Sequence, residues 1–579
     1  MIKLKDWNPT YFLQEFKGSV YNGEFPTVPE MFIISTRRFP DKPCFTDFEG
    51  PNGSRRTLTY AEALQKIQTL AQWMAAHGLS HGDRVAVTGK NSPEWAVVYL
   101  AALFAGGIIC PIDYALHEEE IVNLLNTAQP RFLFVDVEKY DWFASRQSPY
   151  DVYSLSPRQN ERYAYNLSSE QTNAIVPCTE KETAAILFTS GTTGIPKGVM
   201  LSHFNLISDA FAAQTRMILY STDVFYALLP IHHAYTMLAV FIETISVGAE
   251  VVFGKSLAAT RMLKELGEGH ITMLLGVPLL FNKLCAGILK GIREKGIVVY
   301  GLMRFLMNLS YIIKKVFKVN VGKVLFRPVL KKANLLTIRV AICGGGPLAP
   351  SIFKIYNELG IDFVQGYGLT ETSPIIALNP VEHFKIHSVG QYFEQYSQMR
   401  IDNPNEDGIG EICVKGTMVM QGYFNMPEET AKVIDADGWL HTGDLGWLDN
   451  ENYLMLSGRA KNMIVTEGGK NVYPEEIEDA FQLETDIEQI VVQGYIADKA
   501  LRSEELQALI YPSDDMLASV KVSREEAPSN LAVAERLSAI VGKVNKQLLP
   551  YQRISKITVL EKPLEMTTTK KVKRTYTNA

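Results

Sequence analysis

The stretch from Thr183 to His203, TAAILFTSGTTGIPKGVMLSH, constrains this chain more than any other. An apolar run leads into a cluster of hydroxyl residues and glycines ahead of a lysine: Thr189, Ser190, Gly191, Thr192, Thr193, Gly194 and Lys197. Glycines let the backbone approach an anion, hydroxyls donate hydrogen bonds, and lysine adds a mobile positive charge. Because two residues separate the last glycine from the lysine, the spacing differs from that of a P-loop. The pattern predicts a phosphate-binding loop of another class, and a plain surface turn is the alternative.

Short β-branched runs alternate with helical stretches along residues 84–136: RVAVTG, PEWAVVYLAALFAG, GIICPID, HEEEIVNLLNTA and RFLFVD. This order predicts layered α/β structure with largely parallel sheets. From Gly408, the strings GIGEICVKG, GYF and ENYLMLSGR carry short alternating strands and glycine turns, which predict a small β-subdomain. After Arg459 a strand, a glycine turn and a helix beginning at Pro474 start a new unit. We therefore expect a large N-terminal α/β domain over 1–457 and a smaller, mobile α+β C-terminal domain over 458–579.

Composition narrows the class of protein. The chain has 579 residues and a net charge of -6, which fits a globular protein with several cores. Its six cysteines lie far apart without a C-x-x-C pair, so we expect reduced thiols and no zinc site. The first residues lack the apolar stretch of a secretion signal. In the apolar stretch Ala96 to Ile112, Gly106, Gly107 and Pro111 favour a buried helix, turn and strand. We expect a cytoplasmic protein that can lie peripherally on a membrane.

Further motifs follow in order along the chain. They are GGGPL from Gly344, QGYGLTETSP from Gln365, DGWLHTGDLGWLD from Asp437, GRAKNMIVTEGGKNVYPEEIE from Gly458, and the tail PLEMTTTKKVKRTYTNA. Together with the first motif they resemble the adenylate-forming (AMP-binding) superfamily, and most of all its long-chain fatty acyl-CoA synthetases. The resemblance extends from about Phe32 to Arg574.

The resemblance implies ATP, coenzyme A and Mg2+, with a fatty acid as the other substrate and no nucleic-acid partner. It implies these ATP-binding residues: Thr189, Ser190, Gly191, Thr192, Thr193, Gly194, Lys197, Gly345, Gly346, Gln365, Gly366, Tyr367, Gly368, Thr370, Asp444 and Arg459. The implied catalytic residues are Lys571, Thr370, Glu371 and His233, with Glu371 also the metal ligand. Lys461 falls at the hinge, and Gly468, Gly469 and Lys470 fall in the coenzyme A passage.

Two segments depart from the family pattern. In the tail, Lys570 stands where the family has glycine, and Lys573 is close by, so which of Lys570, Lys571 and Lys573 reaches the active site is open. In LLPIHHAYTM, His232 and Thr236 stand where the family has an aromatic residue and a glycine. His233 is the residue carried over, and a structural histidine is the alternative.

The implied reaction is that of an AMP-forming acid–thiol ligase, a long-chain fatty acid–CoA ligase. One alternative is an acyl-AMP ligase that loads the phosphopantetheine of a carrier protein. A luciferase-like oxygenase shares the motifs. A different class is a non-catalytic nucleotide-binding scaffold, against which the intact Lys197, Asp444 and Lys571 argue.

An insertion-like segment between Lys283 and Arg339 contains many lysines and arginines and one acid, Glu294. One helical face carries Leu302, Phe305, Leu306, Leu309, Ile312, Ile313, Val316 and Phe317, and another carries Arg304, Asn308, Lys315 and Lys318. A basic amphipathic helix predicts membrane-surface contact through 290–335 and favours a long-chain acid. The alternative is a helix packed on the protein's own core with its basic face in water.

Overall fold

The computed structural model describes residues 4–50, 53–189, 196–256, 258–465, 470–498 and 503–566, together with Val572 and Arg574. Within these residues the strands form two large sheets and two small ones. The largest hydrophobic cluster contains residues from strands of both large sheets and from the helices that pack between them. The helix His203–Gln214, whose twelve residues are all buried, is one of these helices. The chain is thus a layered α/β protein, as the sequence predicts.

The first sheet has seven strands among the described residues. In spatial order they are Gly422–Tyr423, Lys197–Ser202, Thr183–Thr189, Ile108–Ile112, Arg84–Thr88, Phe132–Val135 and Asp151–Ser154. The five strands from Thr183–Thr189 to Asp151–Ser154 are parallel, which confirms the predicted βαβ order. Gly422–Tyr423 was predicted to lie in the β-subdomain, and this is wrong, because it pairs with Lys197–Ser202.

The second sheet has thirteen strands among the described residues. In spatial order they are Ser397–Asp402, Gly410–Gly416, Leu440–Leu448, Tyr453–Arg459, Gly390–Tyr392, Ile375–Leu378, Asp362–Gly368, Val340–Cys343, Met273–Gly276, Val224–Ala227, Glu250–Phe253, Pro43–Asp47 and Arg56–Thr59. Pairing is parallel from Asp362–Gly368 to Pro43–Asp47 and antiparallel at both ends. The predicted small β-subdomain is present as the antiparallel part of this sheet, but it begins at the strand Ile375–Leu378 and not at Gly408.

Helices cover and separate the sheets. The α-helices of the N-terminal part are Val28–Arg38, Tyr60–Ala76, Pro93–Phe104, Glu118–Ala128, Val137–Ala144, His203–Gln214, Ala234–Thr236, Glu243–Val247, Ala259–Glu268, Pro278–Arg293, Ile297–Phe317, Gly322–Leu325, Arg327–Lys332, Pro350–Glu358 and Pro427–Ala431. The stretch Ala96 to Ile112 is a buried helix, a turn and a strand, as predicted. Its turn needs glycine at Gly106, which has φ +80°, and where a Cβ would lie 2.6 Å from the carbonyl oxygen of Val176.

The C-terminal part has its own core, formed by residues from Ile464 to Ile554. Its strands are Ile464–Val465, Asn471–Val472, Ile487–Asp498, Ser503–Pro512 and Ile554–Val559, and its helices are Pro474–Asp479, Asp514–Val520 and Leu531–Asn545. The helix predicted to begin at Pro474 is therefore present. The predicted boundary between 457 and 458 falls within the strand Tyr453–Arg459, and the division into two domains stays a prediction. All six cysteines are free thiols, as expected.

The amphipathic helix is present as Ile297–Phe317, which we call the insertion helix. It is the one helix of the described residues that is long and apolar enough to cross a membrane by length and composition. The alternative, in which the apolar face packs on the protein's own core, is wrong, because Leu302, Phe305 and Ile312 are exposed. Of the predicted basic face, Asn308 and Lys318 do lie in water. Lys314 is buried and bonds Asp362, and Arg304 pairs with Glu358, whereas the apolar side of the helix is exposed. The side of the helix that faces the protein combines the buried Met307 with two cations, Arg304 and Lys314, that find carboxylate partners there.

Candidate active site

The phosphate motif forms a β-hairpin in the first sheet. Its strands Thr183–Thr189 and Lys197–Ser202 are antiparallel, and Thr189 pairs with Lys197 where the hairpin turns. Ser190, Gly191, Thr192, Thr193 and Gly194 lie outside the described residues. The hairpin register therefore places the first hydroxyl and the lysine of the motif opposite one another at the mouth of its turn.

Lys197 belongs to a chain of polar contacts. Its Nζ lies 2.7 Å from Glu429 Oε2, and 4.8 Å from the centroid of the Tyr423 ring. The Tyr423 hydroxyl donates to Glu371 Oε1 over 2.9 Å. Hydrogen bonds from Lys197 and Lys432 lower the pKa of Glu429 to about 2. Two residues predicted from separate motifs, Lys197 and Glu371, are thus connected through Tyr423, and Lys197 has an anionic partner.

Thr370 and Glu371 lie in a 3-10 turn, Thr370–Thr372, that follows the strand Asp362–Gly368. Backbone contacts hold this turn, since the Met420 amide donates to the Glu371 carbonyl over 2.9 Å. Gly368 admits no side chain, because a Cβ there would lie 1.6 Å from the Pro374 carbonyl oxygen. Gly368 is therefore required for the close backbone packing of the turn that positions Thr370 and Glu371.

The GGGPL segment follows the strand Val340–Cys343, which is parallel to Asp362–Gly368. Gly345 is exposed with φ +79°, a conformation that favours glycine, and Gly346 is half-buried. The parallel register pairs Cys343 with Gln365, which is buried, and half-buried Gly366 follows it. The two glycine-containing segments therefore leave neighbouring strand ends at one edge of the sheet, where ligands of α/β proteins commonly bind.

Tyr367, Asp444 and Arg459 are joined by short contacts. The Tyr367 hydroxyl donates to Asp444 Oδ2 over 2.7 Å, and Arg459 Nε lies 2.9 Å from Asp444 Oδ1. Asp444 and Arg459 face each other on antiparallel strands. Burial and the nearby Asp444 carboxylate raise the pKa of the Tyr367 hydroxyl, so it stays protonated and donates. Lys461 lies in the turn Ala460–Asn462 that follows and is exposed.

The C-terminal part contacts the glycine-rich segment through Gln482. The Ala349 amide donates to Gln482 Oε1 over 2.8 Å, and Gln482 Nε2 donates to the Pro347 carbonyl over 3.1 Å. Lys470 is exposed at the start of the strand Asn471–Val472. Gly468, Gly469 and Lys571 lie outside the described residues.

His233 is half-buried beside the buried His232, with ring centroids 4.1 Å apart, and His232 Nε2 lies 3.5 Å from Asp113 Oδ1. Potential metal-ligand atoms of Asp113, His232 and His233 lie within 4.8 Å of one another. His81, Cys178 and Glu182, and Asp402, Cys413 and His441, form two such groups as well. Because each group joins distant parts of the chain, sequence spacing does not detect it. The expected absence of a zinc site stays a prediction.

Sequence reasoning missed Tyr423 and Glu429. Glu429 lies 232 residues after Lys197, and no spacing rule connects the two. A weak signal for Tyr423 was the short GYF run, which was interpreted as a strand of the β-subdomain.

Known proteins resemble this chain over most of its length. The family model described as AMP-binding enzyme matches residues 33–424. The long-chain-fatty-acid–CoA ligase heimdall of Drosophila melanogaster is 28% identical over 500 residues, 79% of this chain and 73% of that protein. The medium-chain fatty-acid–CoA ligase of Escherichia coli (strain K12) is 27% identical over 547 residues, 89% of this chain and 88% of that protein.

Among solved structures, ATP-bound MatB from Rhodopseudomonas palustris is 26% identical, with a TM-score of 0.72 over 94% of this chain and 97% of that one. The similarity in fold therefore extends beyond the residues that the family model matches. With the family model covering more than half of its residues, the chain belongs to the AMP-binding enzymes, the adenylate-forming acyl-CoA ligase family.

Proposed function

We propose that this protein activates a long-chain fatty acid with ATP and transfers the acyl group to coenzyme A. In the first step a carboxylate oxygen attacks the α-phosphorus of ATP, and pyrophosphate leaves. In the second step the coenzyme A thiol attacks the acyl carbon of the acyl-adenylate, a thioester forms, and AMP and a proton are released. Membership of the acyl-CoA ligase family supports this reaction class.

The observation that carries the proposal is the group Tyr367, Asp444 and Arg459. The Asp444 carboxylate lies between the Tyr367 hydroxyl and the Arg459 guanidinium. Its oxygens can also accept hydrogen bonds from two ribose hydroxyls, which would share or replace these contacts when the nucleotide binds. The Tyr367 ring offers a flat surface for the adenine, with Gly345 and Gly346 at its edge. Arg459 adds a fixed set of donors for ribose and phosphate oxygens.

Charge stabilisation is the proposed means of catalysis. Lys197 and the hydroxyls of its loop would bind the leaving pyrophosphate, and Thr370 and Lys571 would bind the α-phosphate. Glu371 is suited to be a Mg2+ ligand, because the hydrogen bond from Tyr423 fixes one of its carboxylate oxygens. In proteins Mg2+ commonly binds one or two carboxylates together with phosphate oxygens. A bound Mg2+ would neutralise phosphate charge. We propose Lys461 as the hinge, Gly468, Gly469 and Lys470 as the coenzyme A passage, and His233 as a wall of the acyl pocket.

The long-chain preference is supported by the insertion helix and by relatives that include a long-chain ligase. Other relatives act on other acids, and the Escherichia coli relative is a medium-chain ligase. The proposal includes peripheral membrane contact through 290–335, since long-chain acids partition into membranes.

The test is to measure AMP and acyl-CoA across acids from acetate to oleate, with and without coenzyme A. Long-chain acyl-CoA with stoichiometric AMP is the expected result. Accumulation of acyl-AMP without acyl-CoA would replace this proposal by transfer to a carrier protein. A best rate with short or aromatic acids would overturn the chain-length preference alone, and no AMP from any acid would favour a non-catalytic scaffold.

Glu429→Gln is expected to lower KM for ATP by about two- to fivefold, measured with saturating acid. The Lys197–Glu429 contact has to open for Lys197 to reach phosphate, and a solvent-screened ion pair of this kind is weak, so the expected gain is small. Glu428→Gln is the matched control, because Glu428 is the exposed neighbour on the same helix. A higher KM for ATP in Glu429→Gln would mean that Glu429 positions Lys197 rather than competing with ATP.

A further inference from the structure

The insertion helix presents a continuous apolar face to solvent. Six of its exposed apolar side chains, each 41–81% exposed, form this face: Val298, Leu302, Phe305, Leu309, Ile312 and Val316. They recur at alternating intervals of four and three residues, which places them on one side of the helix. Val319, Val324 and Leu325 beyond its end are also at least half exposed. Contiguous exposed apolar surface of this kind marks a contact site for a partner or a membrane.

The opposite face is fixed to the protein by charges. Lys314 Nζ donates to Asn357 Oδ1 and Asp362 Oδ1, each over 2.7 Å, and Arg304 Nη1 lies 3.2 Å from Glu358 Oε2. Met307 is fully buried on this side. Because these contacts hold the helix against the N-terminal part, it lies along the surface and does not span a bilayer by itself.

Basic side chains flank the apolar face at both ends. Exposed ones are Lys290, Arg293 and Lys295 before the helix, and Lys318, Arg327, Lys331 and Lys332 after it. Residues 290–335 contain eleven lysines and arginines and one acid, a net charge of +10, whereas the rest of the chain has a net charge of -16. The apolar face therefore lies within the positive region of an otherwise acidic protein.

The positive charge around the apolar face distinguishes between two possible binding partners, a second copy of this chain and an anionic bilayer. A spacing of four and three residues also suits a helix pair with a second copy of this chain. Such a pair would bring two regions of +10 together, and like charges across an interface disfavour association. An anionic bilayer satisfies both features, because apolar side chains enter the acyl region while lysines and arginines meet headgroup phosphates.

We infer that the exposed face of the insertion helix docks this protein on an anionic phospholipid surface, with the helix parallel to the bilayer plane. This deepens the peripheral membrane contact included in the proposed function by naming the docking face and the lipid charge, and binding needs neither ATP nor coenzyme A. The inference and the reaction can therefore fail separately.

The experiment is co-sedimentation of the full chain with vesicles of phosphatidylcholine alone or mixed with phosphatidylglycerol. We expect binding to the anionic vesicles, and at least about tenfold weaker binding for the double variant Leu302→Gln/Phe305→Gln, because each buried large apolar side chain contributes roughly 1.5–3 kcal/mol. Leu531→Gln is the matched control, since Leu531 is 78% exposed on a C-terminal helix. Because all three residues are exposed, the variants should keep the wild-type melting temperature.

A second variant tests the charge. Arg327→Gln/Lys331→Gln/Lys332→Gln should lose most of the preference for phosphatidylglycerol. Equal wild-type binding to both vesicle types, or none to either, would overturn the inference. So would a wild-type dimer that Leu302→Gln/Phe305→Gln converts to a monomer without any change in sedimentation with vesicles, which would identify a self-association surface.

Discussion

Replacing Asp444 by alanine is expected to lower kcat/KM for ATP by at least about 100-fold, because two hydrogen bonds to a charged group contribute roughly 1.5–3 kcal/mol each. Asp444 is 6% exposed, and both its oxygens face groups that we assign to the nucleotide site, Tyr367 and Arg459. The variant removes the proposed ribose acceptor and leaves the Arg459 charge without this partner. AMP formation at varied ATP concentration measures the loss.

Asp437→Ala is the control for Asp444→Ala, because Asp437 is an exposed aspartate of the same motif. It should retain wild-type kinetics. A thermodynamic cycle with 2′-deoxy-ATP and 3′-deoxy-ATP separates ribose binding from structural support. Removing a ribose hydroxyl from ATP should lower the activity of the wild-type protein strongly and the activity of Asp444→Ala much less. An equal loss of activity with the deoxy nucleotides in both proteins would show that Asp444 acts by holding Tyr367 and Arg459 in place. A lower melting temperature of Asp444→Ala would accompany that result.

The sequence predicted the parallel part of the fold well, for a local reason. Between Arg84 and Val135 each strand and helix carries its own signal, and each connection is short. The glycine at 106 marks a turn that only a residue tolerant of φ +80° and a close carbonyl can make. The strand Gly422–Tyr423 was placed in the wrong sheet, because two residues carry no information about a partner more than 200 positions away.

The sequence predicted the candidate site as separate motifs. It could not predict which side chains of different motifs contact one another. The contacts of Lys197 with Glu429 and of Tyr367 with Asp444 join residues 232 and 77 positions apart. The orientation of the insertion helix was also beyond the sequence. A helical pattern gives two faces, but which face meets the protein depends on acceptors elsewhere, here Glu358 and Asp362.

Replacing Lys571 by alanine is expected to slow adenylation by about 100- to 1,000-fold, the usual loss when one charge-stabilising donor is removed. Lys571 itself lies outside the described residues, but Arg574 does not. Arg574 Nη2 lies 2.7 Å from both carboxylate oxygens of Glu478, and its Nη1 donates to the Val492 carbonyl over 3.0 Å. Such a two-oxygen contact fixes position and angle, so the tail is held three residues after the proposed catalytic lysine.

The two half-reactions distinguish catalysis by Lys571 from support of the fold. Lys571→Ala should lose acyl-adenylate formation and still transfer acyl groups from supplied acyl-adenylate to coenzyme A. We propose that the C-terminal part rotates about the hinge at Lys461 between the two steps, which would remove this lysine before the second step. Lys570→Ala and Lys573→Ala are the matched controls and should retain both half-reactions. A loss confined to either control would move the catalytic role to that lysine. Equal loss of both half-reactions in Lys571→Ala would make the tail structural. Arg574→Lys keeps the charge but not the two-oxygen contact, so it should slow adenylation alone.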